Sequence, residues 1–150
     1  MVYLGADHRG FELKELLKKR LADERYEVTD LGNDHFDPAD DYVVFAEKVA
    51  EAVAELPDNR GIVLCGSGAG VDMTANKVDG VRSALAFDLP RAIQAREHED
   101  ANILALPADA LEEETAWEMV KAFLTTPFSG EERHIRRLKE MEEVEKDSDE

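Results

Sequence analysis

The sequence predicts an α/β fold, a three-layer α/β/α sandwich on a five-stranded parallel sheet, closed by a charged C-terminal helix. Three observations carry this reading. Short apolar runs alternate with longer segments whose apolar residues recur at helical spacing, the pattern of strands joined by crossover helices. The central run, Gly61-Ile62-Val63-Leu64, lacks polar alternation, as a strand covered on both faces does. It ends directly in Cys65-Gly66-Ser67-Gly68-Ala69-Gly70, a glycine-rich turn leading into a helix expected from about Ala69.

Taken in order, Val2-Tyr3-Leu4-Gly5 reads as the first strand and runs into Ala6-Asp7-His8-Arg9-Gly10. Phe11, Leu13, Leu16, Leu17 and Leu21 then mark one face of a helix, with Lys14, Lys18 and Lys19 expected outside. Residues 26–30 form a second strand and 31–41 a polar loop. A second helix spans 42–56, with Val44, Phe45, Val49, Ala52 and Val53 inward. After the glycine turn come a strand over 82–87, a helix over 90–97 and a strand over 103–106. A helix over 111–124 holds Trp117, and a last helix covers 129–145 before an acidic tail. In such folds the ligand lies outside the carboxyl ends of the strands, near a switch in strand order. Asp7-His8, Cys65 to Gly70, Asp88 and Pro107 to Asp109 all fall at such ends.

A chain of 150 residues with 43% hydrophobic content is long enough for one well-packed domain, expected here over 1–150. No apolar run reaches membrane-spanning length, and residues 1–10 read as folded strand and loop, not as a signal peptide. A single cysteine excludes an internal disulfide framework and suits a reducing cytoplasm. The net charge of −17 argues against nucleic acid as a partner. It also means that an anionic ligand must be held by a few local cations against a repulsive field.

The glycine turn itself admits two readings. A helix N-terminus offers N–H groups that no intrahelical bond uses, which favours a phosphate or an oxyanion. A thiol facing such an N-terminus is a candidate base or nucleophile. Equally, a small buried apolar cysteine and a plain turn would leave the same letters.

Further pieces decide between them. Gly5-Ala6-Asp7-His8-Arg9-Gly10-Phe11, Asp41-Tyr42, Cys65 to Gly70, Ala75-Asn76-Lys77, Arg96-Glu97-His98, Asp100-Ala101-Asn102 and Arg133-His134-Ile135-Arg136-Arg137 stand in the order and spacing of type B ribose-5-phosphate isomerases. The chain resembles that family, which also holds allose- and galactose-6-phosphate isomerases, from residue 2 to about 145. The resemblance implies a Rossmann-like sandwich and an aldose–ketose isomerase of pentose phosphate metabolism that uses no metal and no organic cofactor. By the same match, Cys65 is the base that takes the proton from carbon 2, Ser67 helps move a proton between the sugar oxygens, and His98 opens the ring. Asp7 and Tyr42 hold sugar hydroxyls, the backbone of Gly66, Gly68, Ala69 and Gly70 receives the oxyanion, and Glu99 stands at a ligand position. His8, Arg133 and Arg137 take the phosphate, with His134 close by. The family implies a homodimer or a dimer of dimers, with His98 and the arginine helix reaching the site of the other chain.

The sequence departs from the family pattern at three places. Glu99 replaces the usual asparagine, Asp109 replaces an arginine that reaches the phosphate, and Val43 replaces a proline. A carboxylate donates no hydrogen bond when ionised, so the sugar taken is less fixed than the reaction class. Competing readings are a hexose phosphate isomerase, a non-catalytic sugar-phosphate sensor, and a dinucleotide-binding domain with Asp88 on a ribose. The last has its third glycine one residue early and follows the third strand, not the first. The histidines at 8, 35, 98 and 134 show no metal-ligand spacing.

Overall fold

The computed structural model describes residues 1–148. Strands β1 (Val2–Ala6), β2 (Val28–Asp30), β3 (Arg60–Cys65), β4 (Ser83–Leu85) and β5 (Ile103–Pro107) form one parallel sheet in the order β2-β1-β3-β5-β4. Helices α1 (Phe11–Asp23), α4 (Leu89–Glu97) and α5 (Glu113–Thr125) cover one face, and α2 (Tyr42–Ala54) and α3 (Ala69–Ala75) the other. The last helix, α6 (Glu132–Asp147), buries only His134.

The cores follow from strand alternation. Leu4, Ala6, Ile62, Leu64, Leu104 and Leu106 point to the α1, α4 and α5 face, where Leu17, Trp117 and Phe123 meet them. Val63, Cys65, Ile103 and Ala105 point the other way, onto Ala46, Val49, Val53 and Val71. The expected sandwich, its five parallel strands and its charged final helix are all present.

Several boundaries differ, each for a local reason. The second strand starts at Val28, because the Tyr26 N–H still closes α1 on the Leu21 carbonyl at 3.0 Å, past Arg25 at a φ of 66°. The fourth is only Ser83–Leu85, since Arg82 is drawn aside to the Asp100 carbonyl. The fifth helix begins at Glu113, after a short 3₁₀ turn over Ala108–Ala110. The last begins at Glu132, because Ser129 instead ties its N–H to the Glu97 carbonyl at 3.1 Å. It runs through the acidic end to Asp147, and tail residues 149–150 lie outside the described residues.

Lys14 corrects a further expectation. Helical spacing puts it on the outer face of α1, yet its side chain is fully buried. Its ammonium donates to Asp30 Oδ2 at 2.6 Å, Glu15 Oε1 at 2.8 Å and the Asn33 carbonyl at 2.8 Å, which uses all three of its protons. Glu15 is its neighbour in α1, but Asp30 and Asn33 come from the end of β2 and the loop after it, so helical spacing alone puts the lysine in water. Burial pushes the Asp30 carboxyl up, but the bonds from Lys14, Lys18 and the Gly32 N–H more than reverse this and hold it below its ordinary value.

Lys14→Ala removes one of the two ammonium groups on Asp30 and leaves the Asn33 carbonyl without its donor, so it is expected to cost about 1–3 kcal/mol in urea unfolding. Because the folded carboxyl titrates below the unfolded one, the stability that Asp30 contributes is complete above its ordinary value of about 4 and is lost as pH falls through the depressed one. The gap in Tm between wild type and Asp30→Asn should therefore narrow below about pH 4. A gap that widens there would contradict the assigned sign.

Candidate active site

The register of the sheet sets Ala6 beside Leu64 and Cys65 beside Pro107. Three loops thus leave the carboxyl edge side by side: Asp7–Gly10, Gly66–Gly68 and Ala108–Asp109. The chain turns from β1 toward β2 on one side and continues with β3 on the other, so this edge is a topological switch point.

Asp7 is buried and its Oδ1 accepts the N–H groups of Arg9 at 3.0 Å and Gly10 at 3.1 Å, which shapes the entry into α1. His8, half-buried, is held by Asp40. One carboxylate oxygen accepts the His8 N–H at 2.9 Å and lies 2.8 Å from the ring Nδ1, while the other accepts Asn33 Nδ2 at 3.1 Å. Burial raises the Asp40 carboxyl, and these bonds outweigh it, leaving it below its ordinary value. The ionised carboxylate fixes the tautomer of His8 with Nδ1–H toward it and Nε2 facing away. Asp40 is a site residue that the sequence alone does not mark. Its bond crosses 32 residues, and no local pattern announces it.

Cys65 ends β3 with its side chain buried toward α2 and α3. The Gly68 N–H donates to Cys65 Sγ at 3.2 Å, which sets the sulfur against the glycine loop. Gly68 adopts a φ of 74°, and a Cβ there would lie 2.6 Å from Leu85 Cδ1 and 3.0 Å from the backbone of Leu106 and Pro107. Ser67 is exposed and its Oγ accepts the Ala69 N–H at 3.2 Å. Two of the donors expected to face an oxyanion, those of Gly68 and Ala69, are therefore engaged inside the loop. The Tyr42 ring packs on Gly70, where a Cβ would come within 2.5 Å of it. Asp7, His8, Tyr42, Cys65, Ser67 and the glycines are thus brought together.

One further residue of this edge does other work, and the remaining expected residues lie elsewhere. Asp88, which a dinucleotide site would need on a ribose, instead caps α4 by accepting the Arg91 N–H at 2.9 Å. The helix then returns the chain to the amino edge of the sheet, where His98 is its C-cap. A five-residue strand spans roughly 15 Å, so Cys65 and His98 of one chain stand at opposite edges. There His98 stacks on His134 with ring centroids 4.4 Å apart, and His134 Nδ1 lies 2.6 Å from Ser129 Oγ. Buried Arg96 braces the corner through Asp100 at 2.8 Å, Ala101 O at 2.7 Å and Thr126 O at 3.2 Å. Glu99 is exposed beside it. Arg133 pairs with Glu131 at 3.0 Å, while Arg137 has no ion-pair partner among the described residues.

Fold and edge together define an α/β protein of the kind that takes its ligand at the carboxyl ends of a parallel sheet, here with a thiol set against a glycine loop. The chain belongs to the Ribose/Galactose Isomerase family, whose model matches residues 2–141. It is 41% identical to the ribose-5-phosphate isomerase B of Mycobacterium tuberculosis over 97% of this chain and 90% of that one. The solved ribose-5-phosphate isomerase B of Mycoplasma genitalium, crystallised with bound ribulose-5-phosphate, superposes with a TM-score of 0.93 at 38% identity, over 97% of this chain and 95% of that one. The Clostridium thermocellum ribose-5-phosphate isomerase B matches with a TM-score of 0.92 at 40% identity, over 98% of each chain.

Gly68 is the position at which this loop is least able to change. Gly68→Ala forces a side chain into a left-handed conformation and against backbone, and is expected to lower the unfolding free energy by about 1–3 kcal/mol. Urea denaturation measures this, and a variant as stable as wild type would show that the loop relaxes without cost.

Proposed function

We propose that this chain interconverts ribose 5-phosphate and ribulose 5-phosphate by proton transfer through an enediolate, with Cys65 as the base. The observation that carries this is the Cys65 sulfur under the Gly68 N–H, at the switch point of the sheet, in a chain of this family. The thiolate takes the proton from carbon 2, and the electron pair moves through the carbon framework onto the carbonyl oxygen at carbon 1. The N–H groups of Gly66 and Gly70 are the expected donors left to receive that oxyanion. The Ser67 hydroxyl passes the proton of the carbon 2 oxygen to the carbon 1 oxygen, and Cys65 returns its own proton to carbon 1. Every proton is accounted for and no electron leaves the sugar, so the step itself needs no redox cofactor.

Asp7 and Tyr42 orient the sugar hydroxyls, and His8, its ring oriented by Asp40, donates Nε2–H to the phosphate in its doubly protonated form. The opposite placement of His98 and the arginines supports a site completed by a second chain. His98 from the partner opens the ring, and Arg133 and Arg137, four apart on one helix face, grip the dianion. Exposed apolar side chains at Leu85, Phe87, Ile135, Met141 and Val144 support the same association. The reading also assigns the chain to the cytoplasm, in keeping with its single cysteine. Among the described residues no helix is long and apolar enough to cross a membrane.

Turnover in deuterated water tests the chemistry. Deuterium should enter carbon 1 of the ketose with wild type, and Cys65→Ala should lose about 10²- to 10⁴-fold in kcat while still binding substrate. A fully active Cys65→Ala protein removes the base. Exchange with a hexose phosphate but not ribose 5-phosphate moves the substrate, in line with Glu99 and Asp109. Mixing chains that carry only Cys65→Ala with chains that carry only His98→Ala tests the shared site. Random pairing makes half the dimers mixed, each with one intact site, so about a quarter of wild-type activity should return. No recovery would place both residues in a site built from one chain.

A further inference from the structure

The guanidinium of Arg9 lies across the mouth of the glycine loop. A Cβ built on Gly66 would come within 2.6 Å of Arg9 Nε and 2.7 Å of Cζ, so the fork rests directly on that glycine. Its Nη2 donates to Oδ2 of Asp109, whose own N–H donates to the Gly66 carbonyl at 3.1 Å. The side chain therefore starts in the loop after β1, crosses the loop after β3 and ends on the loop after β5. Arg9 follows His8 directly, and its backbone N–H is fixed by Asp7 Oδ1 at 3.0 Å. Both members of the pair stay wet, at 58% and 45% exposure, so the pair contributes little to folding.

A phosphate dianion arriving here meets a chain of net charge −17, with Asp7 in the same loop as Arg9 and Asp40 bonded to His8. Guanidinium carries five N–H donors, and Asp109 engages one nitrogen of it. The others match phosphate oxygens as a planar fork. We infer that Arg9 is a same-chain ligand of the substrate phosphate and that Asp109 is its positioning residue, aiming the guanidinium over Gly66 while offsetting its charge. This rests on the sugar-phosphate reading above. The two side chains then act on phosphate affinity with opposite signs, which a merely structural tie between loops does not do.

Calorimetric titration of the full chain with inorganic phosphate, beside kinetics with ribose 5-phosphate, tests this. Arg9→Ala should weaken phosphate binding and raise KM by about 10- to 100-fold, with a smaller change in kcat. Asp109→Asn keeps an oxygen for the guanidinium but removes the charge, and should tighten phosphate binding by about 3- to 10-fold. Arg9→Lys keeps the charge without the fork, should weaken binding by about 3- to 10-fold, and serves if Arg9→Ala does not fold. Unchanged affinity in the Arg9 variants, or weaker binding in Asp109→Asn, overturns the inference. Opposite shifts in a protein that isomerises no aldose phosphate sustain Arg9 and overturn the substrate. Turnover of ribose 5-phosphate with Arg9→Ala equal to wild type does the reverse, and a wild type that binds no phosphate overturns both.

Discussion

A parallel sheet obliges every crossover to carry the chain back to the amino edge before the next strand can begin. This constraint orders everything else in the molecule. Residues at the end of a strand meet one another across the carboxyl edge, as Asp7, Cys65 and Asp109 do. Residues at the end of a returning helix, as His98 is, are delivered to the far side. The side chains proposed for the chemistry, Cys65 and His98, are therefore split between two edges by topology, not by any choice of side chain. A protein of this fold that uses both groups on one ligand needs a second copy to close the distance.

The same geometry explains how the carboxyl edge is held rigid with few interactions. Asp7 binds the backbone that follows it, Asp40 reaches back from its loop to the ring and N–H of His8, and Gly68 turns left-handed to set its N–H on the sulfur. Each is a polar contact within or between the loops of the carboxyl edge, or from a loop to the end of β3. None requires a large side chain to move, so the three loops keep their relative positions with little conformational freedom to lose when a ligand arrives.

What could be read from the letters was whatever is local. The run Gly61 to Leu64, the glycine turn after Cys65 and the apolar stripe of α1 are each set by neighbours within a few residues, and the sheet order aside, the architecture follows. What could not be read is what the fold brings together from afar. Lys14 obeys the spacing of an exposed lysine, and only Asp30 and Asn33, on other segments, make its burial affordable. Arg9 and Asp109 are 100 residues apart, so the sequence shows a cation in one loop and a lost one in another, with no sign that they touch. Strand order was equally hidden, because β5 inserts between β3 and the very short β4.

Salt divides the charges of this protein into two populations. Exposed pairs such as Asp34 with His35, at 90% and 70% exposure, sit in the ionic atmosphere and fade as the Debye length shrinks to a few ångströms. The ammonium of Lys14, with no exposed surface and bonds of 2.6 to 2.8 Å, lies inside any such screening distance. Concentrated electrolyte thus weakens the mutual repulsion of an acidic exterior while leaving the internal tie between α1 and β2 intact. The chain is built so that brine relaxes its outside and does not loosen its inside.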